Sequence, residues 1–255
     1  MTIAVSRRAL AYLALLGLAM LVPSTALANP VITAFKVSAV PLPGFPGTGN
    51  MRGAGAAIEG EAKISGTEYG GFPSPLIGIK FHAPAGAKLH PQGFGTCAPS
   101  TIEASGPGPC PRSSIAGPKG RAVGAVSFGE ARVPETASVQ AIFVPGGKLV
   151  AFIDGTTPVL LEILASAHVI SSSPPFGFEF LGEVPLIETV PGALDASFVE
   201  GAIKVGAAYK RGKKTIYYIT MPRTCPKGGW PVKLELSFLG GATAEASSKM
   251  PCPTR

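Results

Sequence analysis

Residues 232–238 read Val-Lys-Leu-Glu-Leu-Ser-Phe, apolar and polar in faultless alternation. A period of two puts one set of side chains on each face of an extended strand, one facing core and the other solvent. Ile77, Ile79 and Phe81 alternate with Gly78, Lys80 and His82 in the same way. Within 58–64, Glu59, Glu61 and Lys63 fall opposite Ala62. Further strands are expected over 32–40, 122–131, 138–144, 148–154, 158–164 and 167–171. Residues 176–183, 193–199, 202–209, 214–221 and 242–248 complete the set. Turn signals separate many of them: Pro145-Gly146-Gly147, Asp154-Gly155, Pro191-Gly192, Arg211-Gly212 and Gly240-Gly241. No long segment keeps a helical period. One short helix is allowed around 100–104, where Ser100 and Glu103 have the spacing of a capping box. Many short strands joined by glycine turns predict an all-β fold, an antiparallel β-sandwich.

Gly 33 and Pro 26 would suggest disorder in a polar chain, but 46% hydrophobic residues can build a core. One domain over 29–255 is expected; the alternative is two β domains with a boundary near 105–120. The stretch 41–55 is too rich in glycine and proline for a strand and reads as a long exposed loop.

Residues 1–28 have the layout of a secretory signal peptide. Arg7 and Arg8 form a positive start, 9–22 an apolar run, and Ala26-Leu27-Ala28 a small-residue cleavage site. The apolar run spans about 21 Å as a helix, short of the roughly 30 Å needed to cross a bilayer. Ser6-Arg7-Arg8 followed by Ala9-Leu10-Ala11 fits a twin-arginine leader poorly, so the general export route is expected. Cleavage after Ala28 leaves no membrane span and lowers the formal charge from +7 to +5. The remaining excess suits an anionic cell-envelope polymer and does not point to nucleic acid.

An exported chain folds where thiols oxidise. Cys97, Cys110, Cys225 and Cys252 are an even set with three connectivities, of which the local one, Cys97 with Cys110 and Cys225 with Cys252, is expected. Closing loops of these sizes stabilises by about 3 and about 3.5 kcal/mol in the chain-entropy model. A zinc reading would need closely spaced ligands, and none occurs, so no metal or cofactor is expected.

Catalytic constellations fare no better. His82 falls on the polar face of its strand, His90 precedes Pro91 in a turn, and His168 lies near a strand start. A Ser/His/Asp site would have to bring one of them to Asp154 or Asp195, and Ser127 lacks the first glycine of a G-x-S-x-G turn. Glu59 and Glu61 lie roughly 6–7 Å apart along one strand face, a spacing that overlaps that of glycosidase carboxylates. Beside Lys63 they read as a wetted surface; Glu179, Glu183 and Glu188 are equally ambiguous. With Trp230 the sole tryptophan, sugar-stacking surface is scarce. No catalytic residue is assigned. Lys210, Arg211, Lys213 and Lys214 gather four cations at a predicted hairpin tip near Tyr209, Tyr217 and Tyr218. They suit either an anionic polymer or a solvated turn that discourages edge pairing.

Gly93-Phe94-Gly95-Thr96-Cys97, Gly108-Pro109-Cys110-Pro111, Thr224-Cys225-Pro226-Lys227-Gly228-Gly229-Trp230-Pro231 and Pro251-Cys252-Pro253 together carry a resemblance. With them the chain resembles an uncharacterised group of exported proteins from high-GC actinobacteria, a group without an assigned activity. The resemblance implies export, a β-rich fold and disulfide pairing, and no reaction. The function expected is a non-catalytic, envelope-associated structural or binding module. The alternatives are a secreted hydrolase of polysaccharide or ester, and anionic-polymer binding through the 210–214 tip. Mass analysis of the secreted chain should show a terminus at Asn29 and a mass gain on reduction matching two bridges. An intact leader or free thiols would refute the export reading.

Overall fold

Alternating apolar residues need a surface to cover, and this chain supplies it by curling one sheet onto itself. The structure, a computed structural model, describes residues 29–45 and 52–252. The leader lies outside the described residues, as does the middle of the expected 41–55 loop. Strands β1 (Val31–Val40), β2 (Ala57–Ser65), β3 (Leu76–Pro84) and β4 (Lys88–Leu89) come first. Helix α1 (Pro99–Ser105) and a 3-10 turn at Arg112–Ser114 interrupt them. Then follow β5 (Gly120–Phe128), β6 (Ala131–Val144), β7 (Lys148–Thr157), β8 (Leu161–Ser171) and β9 (Phe176–Glu183). The chain ends with β10 (Ser197–Val205), β11 (Ala208–Arg211), β12 (Lys214–Tyr217), β13 (Ile219–Thr220), β14 (Trp230–Phe238) and β15 (Thr243–Met250).

Eleven strands join one antiparallel sheet in the order β1-β2-β10-β5-β6-β7-β8-β9-β3-β14-β15. Strands from both sides of residues 105–120 enter it. The outermost strands, β1 and β15, lie side by side without a ladder among the described residues. The seam is packed by Ile64, Leu76, Leu234, Leu236 and Phe238 against Ile32, Phe35 and Ala244. The expected sandwich is therefore corrected to a nearly closed, barrel-like sheet. A sandwich divides its strands between two stacked sheets. Here the β5–β9 meander continues through β3, β14 and β15 on one side and β10, β2 and β1 on the other, and strand twist carries the edges together.

Three expected breaks are absent. β10 runs through Glu200-Gly201, where separate strands over 193–199 and 202–209 are expected. Residues 161–164 and the 167–171 segment form the single strand β8, with 158–160 in the bend before it, and β7 runs through Asp154-Gly155 to Thr157. Cross-strand partners on both sides of β7 hold that stretch extended. Helix α1 lies between Cys97 and Cys110 as expected, but it starts one residue earlier, with Pro99 in its first turn and Ala98 as cap. Ser100 is thus inside the helix and no capping box forms. Proline tolerates that first position because the N–H it lacks would go unbonded there.

Cys97 is bonded to Cys110 and Cys225 to Cys252, the two local pairings. The first clamps α1 to the outside of the barrel. Ile102, fully buried, packs there on Ile142, Val144, Val150 and Phe152, the outward residues of β6 and β7. That covering explains the unbroken apolar run at 141–144, since both faces are buried. The second bridge ties the 222–229 loop to the end of β15 beside Trp230, whose indole N–H donates to the Thr224 carbonyl at 2.7 Å. Trp230→Ala should cost about 3–5 kcal/mol in denaturant unfolding with the bridges intact, through the cavity and the orphaned carbonyl.

Candidate functional site

Charge, rather than a catalytic group, distinguishes one end of this barrel. At that end β1 and β3 stop, and β2, β7 and β14 begin. Strands β11 and β12 project there as a hairpin with Arg211 opposite Lys214. Gly212 takes a left-handed φ of 62° at the first turn position, a geometry that suits the strand twist and that side chains rarely adopt. Lys210, Arg211, Lys213 and Lys214 are all exposed. The Tyr209 hydroxyl donates to the Gln92 carbonyl at 3.1 Å, and its ring meets Phe94 edge-on at 4.9 Å. Phe94, Phe143 and Tyr218 in turn cluster with centroids 4.7–5.9 Å apart, plugging this end with aromatic packing. Burial pushes the Tyr218 phenol well above its usual range, so it stays neutral.

Strand ends and loops bring further exposed cations to the same end: Lys88, Lys119, Lys148, Arg223, Lys227 and Lys249. A cleft of about 590 Å³ opens beside the hairpin, lined by Gln92, Lys148, His168, Tyr218 and the backbone of Gly146-Gly147, among others.

The barrel wall contrasts with this end. Lys63 meets Glu200 at 2.7 Å, and Arg121 bridges Glu200 at 2.8 Å and Glu61 at 3.2 Å. Lys204 meets Glu59 at 3.4 Å. Lys233 sits between Glu235, at 3.0 Å, and Glu245, at 2.7 Å, two acids that are cross-strand partners. Hydrogen bonding to Lys63 holds the Glu200 carboxyl below its ordinary value. For Glu235, burial works upward, but Lys233, Lys80 and His82 together pull its pKa down. Among the described residues, none of the cations named at the charged end has an acidic partner within ion-pair distance.

The residues weighed for catalysis are dispersed. Glu59 and Glu61 are ion-paired across β2, β10 and β5. His82, although on the outer face, is buried against Phe176; its Nε2 lies 3.0 Å from Glu235 Oε1. Its Nδ1 lies 3.2 Å from Glu179 Oε1 without hydrogen-bond alignment. The Ser172 hydroxyl donates to that Glu179 oxygen, not to the imidazole. His90 Nε2 contacts Thr220 Oγ1 at 3.1 Å, and His168 lines the cleft. At the opposite end, Ser127 donates to the Leu194 carbonyl, and Glu188 accepts from the Gly192 N–H within its own turn. Glu183 is exposed at the end of β9. Asp154 faces Glu162 across β7 and β8, and Asp195 bridges to Glu188. Cys97, Cys110, Cys225 and Cys252 are held in disulfides.

One polar residue that the sequence reading passed over organises the opposite end. Arg132 donates to the carbonyls of Asp195 (2.9 Å), Ala125 (3.1 Å) and Leu194 (3.4 Å) and to Ser197 Oγ at 2.6 Å. It also stacks over Tyr69 and Phe72. Nothing local in the sequence marks it, because its partners come from three separate segments.

Comparison with family models, with curated proteins and with solved structures finds no match.

The wall network carries an acid sensitivity. Because the folded pKa of Glu200 lies below 4.5, its contribution is complete above that value and is lost as pH falls through the folded pKa. In Glu200→Gln, the drop in urea midpoint between neutral pH and pH about 3 should be smaller than in the parent chain.

Proposed function

We propose that the chain is an exported, non-catalytic module that docks on an anionic polymer of the cell envelope through its charged end. The supporting observation is the contrast in pairing. Cations such as Lys63, Arg121, Lys204 and Lys233 on the wall are neutralised by acids, whereas Lys210, Arg211, Lys213, Lys214 and the further lysines and arginine named with them stand exposed with no acid in ion-pair distance among the described residues. Unpaired cations gathered on one surface repel one another and raise the local potential, and an anionic chain relieves both effects. Tyr209 holds the hairpin beside the cleft containing Lys148 and His168, so a polymer could track from the tip into it. The leader-like segment and two disulfides agree with an extracytoplasmic setting.

Binding of this kind is screened by salt, with a Debye length of about 10 Å at 0.1 M. Pulldown of the mature chain on immobilised teichoic-type polymer should show retention that falls as salt rises. Changing Lys210, Arg211, Lys213 and Lys214 to Gln should weaken retention by up to roughly a thousandfold, at about 1 kcal/mol per cation near an anionic surface. Retention unaffected by the substitutions removes this reading.

A further inference from the structure

Several inward positions of the barrel carry small residues, interspersed among large apolar ones such as Phe81, Phe180 and Leu234. Gly60 and Ala62 on β2, Ala151 on β7, Ala165 on β8 and Gly182 on β9 all line a cavity of about 350 Å³. A β-carbon at Gly60 would find no heavy atom within 4 Å. Eight strands already make a barrel just wide enough for side chains or one small ligand, and eleven make a wider one. An unfilled void destabilises in proportion to its volume, so small inward residues in such a frame are retained at a cost. A volume of this size falls within the range of small-molecule sites, which begins at about 300 Å³.

We propose that the barrel interior is a binding site for an elongated apolar molecule of the acyl or prenyl type. The chemistry of the lining supports that class. Glu135, the buried carboxylate in the wall, accepts from the Thr157 N–H at 2.8 Å and the Val159 N–H at 3.0 Å. Its two oxygens are satisfied by backbone, so it does not call for a cationic ligand. Entry is assigned to the end opposite the charged one. There the 184–196 segment lines the cavity through Val184, Pro185 and Ala196. The same segment leaves Leu186, Val190 and Leu194 exposed near Phe128, which is 59% exposed, and Leu160, at 86%. An apolar rim lets an apolar chain leave its donor without crossing water alone. This site is separate from the cationic face, and it stands whether or not that face binds polymer.

The test is fluorescence titration of the delipidated mature chain with N-phenyl-1-naphthylamine, followed by displacement with palmitate in one arm and geranylgeraniol in another. Saturable uptake reversed by either chain is expected. Gly60→Phe places a ring in the void and should lower probe affinity at least tenfold while keeping or raising the melting temperature of the empty protein. Gly182→Leu enters from the facing wall, where its β-carbon would meet Ile79 at an ordinary 3.5 Å. It serves as the second variant should the first fold poorly. No saturable uptake by the parent chain, or uptake equal to the parent's in the folded variants, overturns the proposal.

Discussion

Pairing between strands remote in sequence holds this protein together. β2 is hydrogen-bonded to β10, and β3 lies between β9 and β14, so the first third of the chain is stitched to its end. Each such ladder orders a long loop before any contact is gained, and the loss of chain freedom is large. The two disulfides shorten these loops little, Cys97–Cys110 spanning only 13 residues. They close local segments instead, fastening α1 to the outer wall and the 222–229 loop to β15. The barrel depends on the ladders and the inward apolar faces; the sulfur links secure the parts with little hydrophobic content of their own.

Once the sheet is nearly closed, its three surfaces carry different chemistry. The wall pairs its charges across neighbouring strands, as in the Lys63–Glu200–Arg121–Glu61 chain. The hairpin end gathers cations that have no ion-paired acid among the described residues, beside an aromatic plug. The far end is built around Arg132 and exposes apolar side chains near the mouth of a small-residue interior. Charge at one end and apolar surface at the other make a polarised molecule. The plug matters to that division because Phe94, Phe143 and Tyr218 close the interior off from the cationic side.

Much of the local structure was legible in the residues. The perfect alternation of 232–238 matches β14, the Gly212 turn matches the hairpin tip, and the helix lies between Cys97 and Cys110. What misled was punctuation. Asp154-Gly155 resembles a turn, yet β7 passes through it because partners on both sides hold it extended. Only part of the charged end could be seen: Lys210–Lys214 is contiguous, whereas Lys88, Lys119, Lys148, Arg223, Lys227 and Lys249 are scattered in sequence and reach the same end through strand order alone.

The sequence by itself determined where most of the strands fall, which face of them is apolar, and which cysteines are close enough along the chain to pair. Period-two alternation and loop length are local properties, and they need no knowledge of partners. Tertiary structure alone decided that one sheet closes on itself instead of splitting into two, that inward glycines and alanines meet around a common cavity, and that His82 lies between Glu179 and Glu235. Alternation says that a face is buried but not against what. Curvature, register and the order of strands emerge only when all the ladders form together.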